Sequence, residues 1–287
     1  MARLSTHASE FVLIDRVAEA AATGYARVGI GDDAAVLPGG LLIATDTLLE
    51  GVHFDATATP EQIGHKALAV NLSDIAAMVG TPTAATLALT LPPHWDAAFA
   101  TRVMDGLLAT AVEFGVELVG GDTTRWDGAA ALSVTVFGQA DAPVLRSGGR
   151  PGDRLFVTGP LGGSLASGRH LTFRPRVAEA RAIAAAVPVT AVMDLSDGLS
   201  SDLAHLCIAS GCGAVIDAAA IPRHDGIDLA GALSDGEDFE LLIAADADDI
   251  DGAVCVGRLV DRPGQTIVTD DGEQPLRPGG WSHAVAD

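Results

Sequence analysis

The chain predicts an α/β (α+β) two-domain protein, and three observations carry that expectation. Apolar segments of strand-like and helix-like periodicity alternate through both halves. The stretch QADAPVLRSGGRPG (139–152), rich in Pro and Gly, separates them. A hydrophobic content of 48% over 287 residues is enough to fill two cores. The expected division is 1–140 and 141–287, with an α/β unit on each side.

The elements follow in order. Residues 9–20 have helical periodicity, and LLIATD (41–46) reads as a short apolar strand ending at an aspartate. Thr59, Pro60 and Gln62 have the spacing of an N-cap, a first-turn proline and a capping box, so a helix starts there and runs to about Val79, where Gly80 and Pro82 stop it. A strand over 85–91, a helix over 96–114 and two strands, VELVG and ALSVTVFG, complete the first half. The second half predicts a strand (154–158), a helix from Pro175, a strand (191–195), a helix (199–210) and a strand (214–217). FELLIAA, AVCVGRLV and QTIVTD are three further strand segments, and no internal duplication is visible.

Charge narrows the function. With 17 basic against 38 acidic residues and a net charge of −21, the chain lacks the basic footprint that nucleic-acid backbones require. No window holds the roughly 18 uncharged apolar residues of a membrane span, and the charged start MARLSTHASEFVLIDRVAEA is unlike a signal peptide, so a cytoplasmic protein is expected. Cys207, Cys212 and Cys255 form no CxxC pair and imply no disulfide framework. LAHLCIASGC reads as the buried end of a helix rather than a zinc set built on His205, Cys207 and Cys212.

Six aspartates, Asp32, Asp46, Asp74, Asp122, Asp194 and Asp197, each sit in a short Gly-, Ser- or Thr-rich segment beside an apolar run. Carboxylates leaving water cost several kcal/mol each unless paired or metal-bound, and the basic residues are too few to pair them all. Magnesium is the expected counter-charge. The glycines of GIGDDAA match a dinucleotide-binding pattern weakly, yet Asp32 and Asp33 would repel a pyrophosphate there unless a metal intervened. Lys66 is the sole lysine and no GK[ST] follows a glycine loop, which excludes a P-loop. Asp46, flanked by Thr45 and Thr47, has a carboxylate-and-hydroxyl setting suited to Mg²⁺, or is a turn aspartate. Asn71 and Asp74 share a helix face in an apolar stretch, as ligands or as interhelical hydrogen-bonding groups. LVGGDTT repeats the strand-then-aspartate pattern around Asp122, with two glycines that allow close backbone approach. MDLSDGLSSDL repeats it with Asp194, Ser196 and Asp197, the last also suited to a helix N-cap.

Taken in succession, GDDAAVL, TDTLLEGVHF, GHKALAVNLSDIAAMVGTP, GVELVGGDTTR, RSGGRPGD, VTGPLGGS, DLSDGLSSDL and GEDFELL resemble the thiamine-monophosphate kinase family, within the aminoimidazole-ribonucleotide-synthetase-like superfamily, over about residues 10–281. The resemblance implies transfer of the ATP γ-phosphoryl group to thiamine phosphate with several Mg²⁺ ions. It also implies an N-terminal α/β domain whose sheet pairs with that of a second subunit in a homodimer, followed by a C-terminal α/β domain. On the same footing Asp32, Thr45, Asp46, Asp74, Asp122 and Asp194 would be magnesium ligands, with Asp197 holding a further ion. Asp32, Asp74 and Asp122 would carry catalysis through bound metal. Gly121, Asp122, Arg146 and Ser196 would contact the nucleotide, and His53, Glu237 and Trp281 the thiamine phosphate. Two departures stand out: Ala44 replaces a serine common in the family, and the family's tyrosine near Asp105 is missing, Tyr25 being the single tyrosine. The alternatives are another ATP-using member of the superfamily, or a catalytically silent protein that senses thiamine phosphates or cations.

Overall fold

The computed structural model describes residues 10–21 and 24–281. The first half contains α1 (Glu10–Ala21), β1 (Ala35–Val36), β2 (Leu41–Leu49), α2 (Pro60–Ala77), β3 (Thr81–Leu91), α3 (Ala97–Phe114), β4 (Glu117–Arg125) and β5 (Ala131–Gln139). The second contains β6 (Arg154–Val157), α4 (Ser164–Ser167), α5 (Val177–Ala186), β7 (Val189–Asp194), α6 (Leu199–Ser210), β8 (Gly213–Asp217), α7 (Leu229–Ser234), β9 (Leu241–Ala245), β10 (Val254–Val260), β11 (Gly264–Thr269) and β12 (Gly272–Pro275). Strands from the first half form a five-stranded sheet in the order β1-β2-β5-β3-β4, and those from the second a seven-stranded sheet in the order β12-β11-β8-β10-β6-β9-β7.

The helix starts follow their local chemistry. Thr59 accepts a hydrogen bond from the Gln62 amide while Gln62 reaches back to the Thr59 amide, closing the capping box of α2. Asp96 caps α3, and Gly115 closes it in the left-handed conformation. Helix α2 ends two residues earlier than its sequence suggests, because Val79 turns to a φ of 55° ahead of Gly80. The strands run further than their apolar runs. β2 continues through Asp46 to Leu49, because the ladder from Leu41↔Gln139 to Leu49↔Ala131 is unbroken. β4 likewise carries on past Gly121 and Asp122, paired with β3. Asp46 and Asp122 therefore lie within strands rather than at strand ends. Pro82 is admitted to β3 at a register irregularity. The short elements β1, α4, α7 and β12 carry no sequence periodicity and were not expected.

Packing converges on α2. One face of the five-stranded sheet, with Leu42, Ala44, Leu132, Val134, Leu87 and Leu89, packs on α2 and α3. The same core continues across α2 into α5 and one face of the seven-stranded sheet, through Phe156, Val192 and Ile243. Strand alternation sends Leu155, Val157 and Met193 to the opposite face, where they meet Leu203, Leu206, Cys207 and Cys212 of α6 and its exit. Those two cysteines pack in that core.

Helices α2 and α3 meet backbone to backbone at a pair of glycines. A Cβ on Gly106 would stand 2.1 Å from the Glu61 carbonyl oxygen, and one on Gly64 1.9 Å from that of Val103. Gly106→Ala must push the helices apart, and urea denaturation is expected to register a loss of about 1–3 kcal/mol.

Candidate active site

The cleft lies between the two sheets. It has a volume of about 190 Å³ and is lined by Asp46, His53 and Asp74 from the first half and by Asp194, Ser196, Asp197, Glu237 and Trp281 from the second. Asp46 comes from β2, Asp74 from the last turns of α2, Asp194 from the end of β7, and Asp197 from the turn into α6.

At one end the acids crowd together. Carboxylate oxygens of Asp33, Asp74 and Asp194 all lie within 4.8 Å of one another. Ser73 donates to Asp194 Oδ2 at 2.7 Å. Arg146 supplies the nearest cation, with Nη2 2.9 Å from Asp33 and Nε 3.6 Å from Asp32. Asp33 Oδ2 is buried with no hydrogen-bond partner among the described residues. One guanidinium cannot neutralise so many carboxylates, and their proton affinities reflect it. Burial first, then the charge of Asp33, raises Asp32 to about 7. Burial and the charges of Asp33 and Asp46 raise Asp194 to about 8, against the opposing effects of Ser73 and Arg146. Burial raises Asp74 well above the usual carboxylate range, helped by the charges of Asp46, Asp194 and Asp33. Asp46 lines the open cleft and keeps contact with solvent. Enough protein surrounds it that lost hydration also raises its pKa, while its hydrogen bond with Asp74 opposes the rise. A divalent cation is the species that would remove this strain: it fits acidic oxygens converging on one point, and Asp33 Oδ2 has nothing else to bind.

The same cleft is also lined by His53, Glu237 and Trp281. The Leu49 amide donates to His53 Nδ1 at 2.9 Å, which assigns the ring proton to Nε2 and makes that nitrogen a donor. Glu237 adopts a left-handed φ of 57°, and its amide donates to the Ser196 carbonyl at 2.6 Å. Burial pushes its carboxyl up, but the neighbouring His170 and Lys66 outweigh that and hold it below the usual value. Trp281 is brought in by the last described segment. Its amide donates to the Asp197 carbonyl at 3.2 Å, and Ser200 bonds both the amide and the carbonyl of Gly279. The buried Asp202 carboxylate accepts from the amides of Asp197 (3.2 Å) and Gly198 (3.0 Å), fixing the turn that carries Ser196 and Asp197.

The structure does not bring every expected residue to the cleft. Thr45 stands one residue from Asp46 and so points to the opposite face of the sheet, where its hydroxyl donates to the Val134 carbonyl (3.1 Å) and lies 3.0 Å from that of Thr135. Its side chain is therefore not placed as a ligand of this cluster. Asp122 pairs in register with Ala88, and Ala88 with Ser133, so it too lies on the outward face, exposed on an edge strand. Gly121 is packed against β3: a Cβ there would stand 1.9 Å from the Leu87 carbonyl oxygen, so its small size serves strand packing. Conversely, Asp33 rather than Asp32 converges with Asp74 and Asp194. The doubled aspartate of GDDAA was the available signal, but only the chain's path decides which of the two faces inward. Ser73, Lys66 and His170 were not expected as site residues, since each is an ordinary residue type in an apolar or loop context.

Comparison with known proteins supplies the family. Residues 31–140 match the family model for the AIR synthase related protein N-terminal domain, and residues 150–255 that for its C-terminal domain. The fold and site thus define an AIR synthase related protein. A thiamine-monophosphate kinase of Rhodopirellula baltica is 39% identical, with 91% of this chain and 92% of the relative covered. One of Salmonella typhimurium is 41% identical over 74% of each. The solved structure of AaThiL complexed with AMPPCP and TMP superposes with a TM-score of 0.86 at 31% identity, covering 99% of both chains. The chain belongs to the thiamine-monophosphate kinase family.

The raised acids give a sign for pH dependence. Asp194 and Asp32 titrate near 4 when unfolded but near 8 and 7 when folded, so between those limits the folded state holds more protons and loses stability as pH rises. With chelator present, thermal melts are expected to give a falling Tm from pH 5 to pH 8, and Asp194→Asn is expected to flatten that fall. An unchanged slope in the variant would mean that Asp194 is ionised throughout.

Proposed function

We propose that this chain transfers the γ-phosphoryl group of ATP to thiamine phosphate, giving thiamine diphosphate and ADP. The observation that carries this reading is the composition of the site: crowded carboxylates beside Arg146, with His53, Glu237 and Trp281 on the wall of the adjoining cleft. The nucleophile is a phosphate oxygen of the substrate, already largely deprotonated near neutral pH, so no protein base is required. The barrier is repulsion between two anionic phosphates. Magnesium, when bound, would supply the charge neutralisation that brings them together and stabilises the transferring group. Asp33, Asp74 and Asp194 would hold it, with Asp32, Asp46 and Asp197 available to further ions.

The chain's own residues do the positioning. Arg146, anchored by Asp32 and Asp33, presents a guanidinium suited to nucleotide phosphates, next to the turn that carries Ser196. His53 Nε2–H can donate to the phosphate of the acceptor, and Trp281 offers a face for its heterocycle. A substrate oxygen attacks the γ-phosphorus in line as the bond to the β-phosphate oxygen breaks, and ADP departs with that electron pair. No side chain is phosphorylated on the way. In the same reading the chain works as a cytoplasmic homodimer. The outward face of the five-stranded sheet, with Thr45, Thr47, Ser133, Asp122 and the 55%-exposed Val119, is the surface a second copy would cover. Gly121 and Asp122 would be nucleotide contacts on that interface. The two domains, 1–140 and 141–287, would close on the substrates from either side.

Purified protein with ATP, thiamine phosphate and Mg²⁺ is expected to release ADP and thiamine diphosphate in equal amounts, and chelation should abolish both. ATP consumption without thiamine diphosphate would redirect the reading to another substrate. Asp33→Asn and Asp74→Asn are each expected to lower kcat about a hundredfold, in the range seen on removing one preorganised electrostatic contact. Rates like those of the unaltered enzyme at saturating Mg²⁺ would remove these residues from the site.

A further inference from the structure

Lys66 lies on α2 with no solvent-exposed surface, on a helix otherwise packed by Ile63, Ala67, Leu68, Val70 and Leu72. A buried ammonium costs several kcal/mol unless its protons are all taken up. Nζ donates to the His53 carbonyl at 2.7 Å and to Glu237 Oε2 and lies 2.8 Å from His170 Nδ1, so three polar partners surround three N–H donors. His170 Nδ1 also lies 3.2 Å from Glu237 Oε2, so it accepts from Lys66 in one tautomer and donates to Glu237 in the other. The partners belong to three separate segments: the connection from β2 to α2, the turn before α5, and the loop entering β9. Two of them, His53 and Glu237, line the cleft, and Glu237 is held there in an unfavourable left-handed backbone conformation.

We infer that Lys66 is the positioning residue for the thiamine-phosphate end of the cleft: it ties the main chain of His53 and the carboxylate of Glu237 to α2 and sets where both face the substrate. Its own side-chain hydrogen bonds reach His53, His170 and Glu237 and no residue assigned to the nucleotide. The inference rests on the kinase reading, and its signature is asymmetric between the two substrates.

The test is steady-state kinetics with each substrate varied, on the intact enzyme and on Lys66→Met, Glu237→Gln and the double variant. Lys66→Met is expected to raise the KM for thiamine phosphate about tenfold or more while the KM for ATP stays within about twofold. Glu237→Gln is expected to do the same, and the double variant to be little worse than either single change, since the two act as one unit. Removing Lys66 alone leaves the half-buried Glu237 without its ammonium partner, so should Lys66→Met not fold, the double variant, which removes both charges, carries the same expectation. A merely structural lysine would lower kcat in proportion to folded protein and leave both KM values unchanged. That result, an equal rise in both KM values, or additive effects in the double variant overturns the inference. Absence of thiamine diphosphate from the unaltered enzyme would instead overturn the kinase reading.

Discussion

The burial of α2 between two sheets is the constraint on which the rest of the molecule depends. A helix covered on every side must be apolar nearly all round, and beyond its first turn α2 is, except at His65, Lys66, Asn71, Ser73 and Asp74. Each polar residue on such a helix needs a partner from another element. Lys66 finds three polar partners, Ser73 finds Asp194, and Asp74 meets the carboxylates of Asp46, Asp33 and Asp194. The helix that cements the two halves is therefore also the one that gathers the site, and the cleft forms where its polar residues emerge.

Two opposite solutions to buried charge sit along α2. Around Lys66 the ammonium pairs with Glu237 beside His170, which gives a fixed wall. Around Asp74 they are left unbalanced, with acids raised in pKa and an orphaned oxygen on Asp33. The imbalance weakens the metal-free fold and favours a state in which cations are present, so part of the stability is lent to ligand binding.

Much of this was legible in the residues. The capping box at Thr59, the Pro- and Gly-rich break before Arg154 and the aspartate-bearing turns all have local chemical causes, and local causes can be read from a sequence. What was not legible depends on three-dimensional path. Whether Asp32 or Asp33 faces inward, and whether Thr45 joins Asp46, are decided by pleat alternation and by how a loop approaches its neighbours. The continuation of β2 and β4 past their apolar runs follows from pairing with distant strands. Lys66 gave no signal at all, because its three partners lie 13, 104 and 171 positions away in the chain.

Lys66 and Asp74 are eight residues apart on one unbroken helix, a rise of about 12 Å at 1.5 Å per residue. A continuous α-helix packed on all sides neither stretches nor bends easily, so it works as a caliper: one jaw holds the wall that carries His53 and Glu237, the other the acids around Asp74. The span of α2 thus fixes the distance between the charge paired at Lys66 and the acids crowded at Asp74, so a change at one jaw cannot be absorbed by a shift of the other.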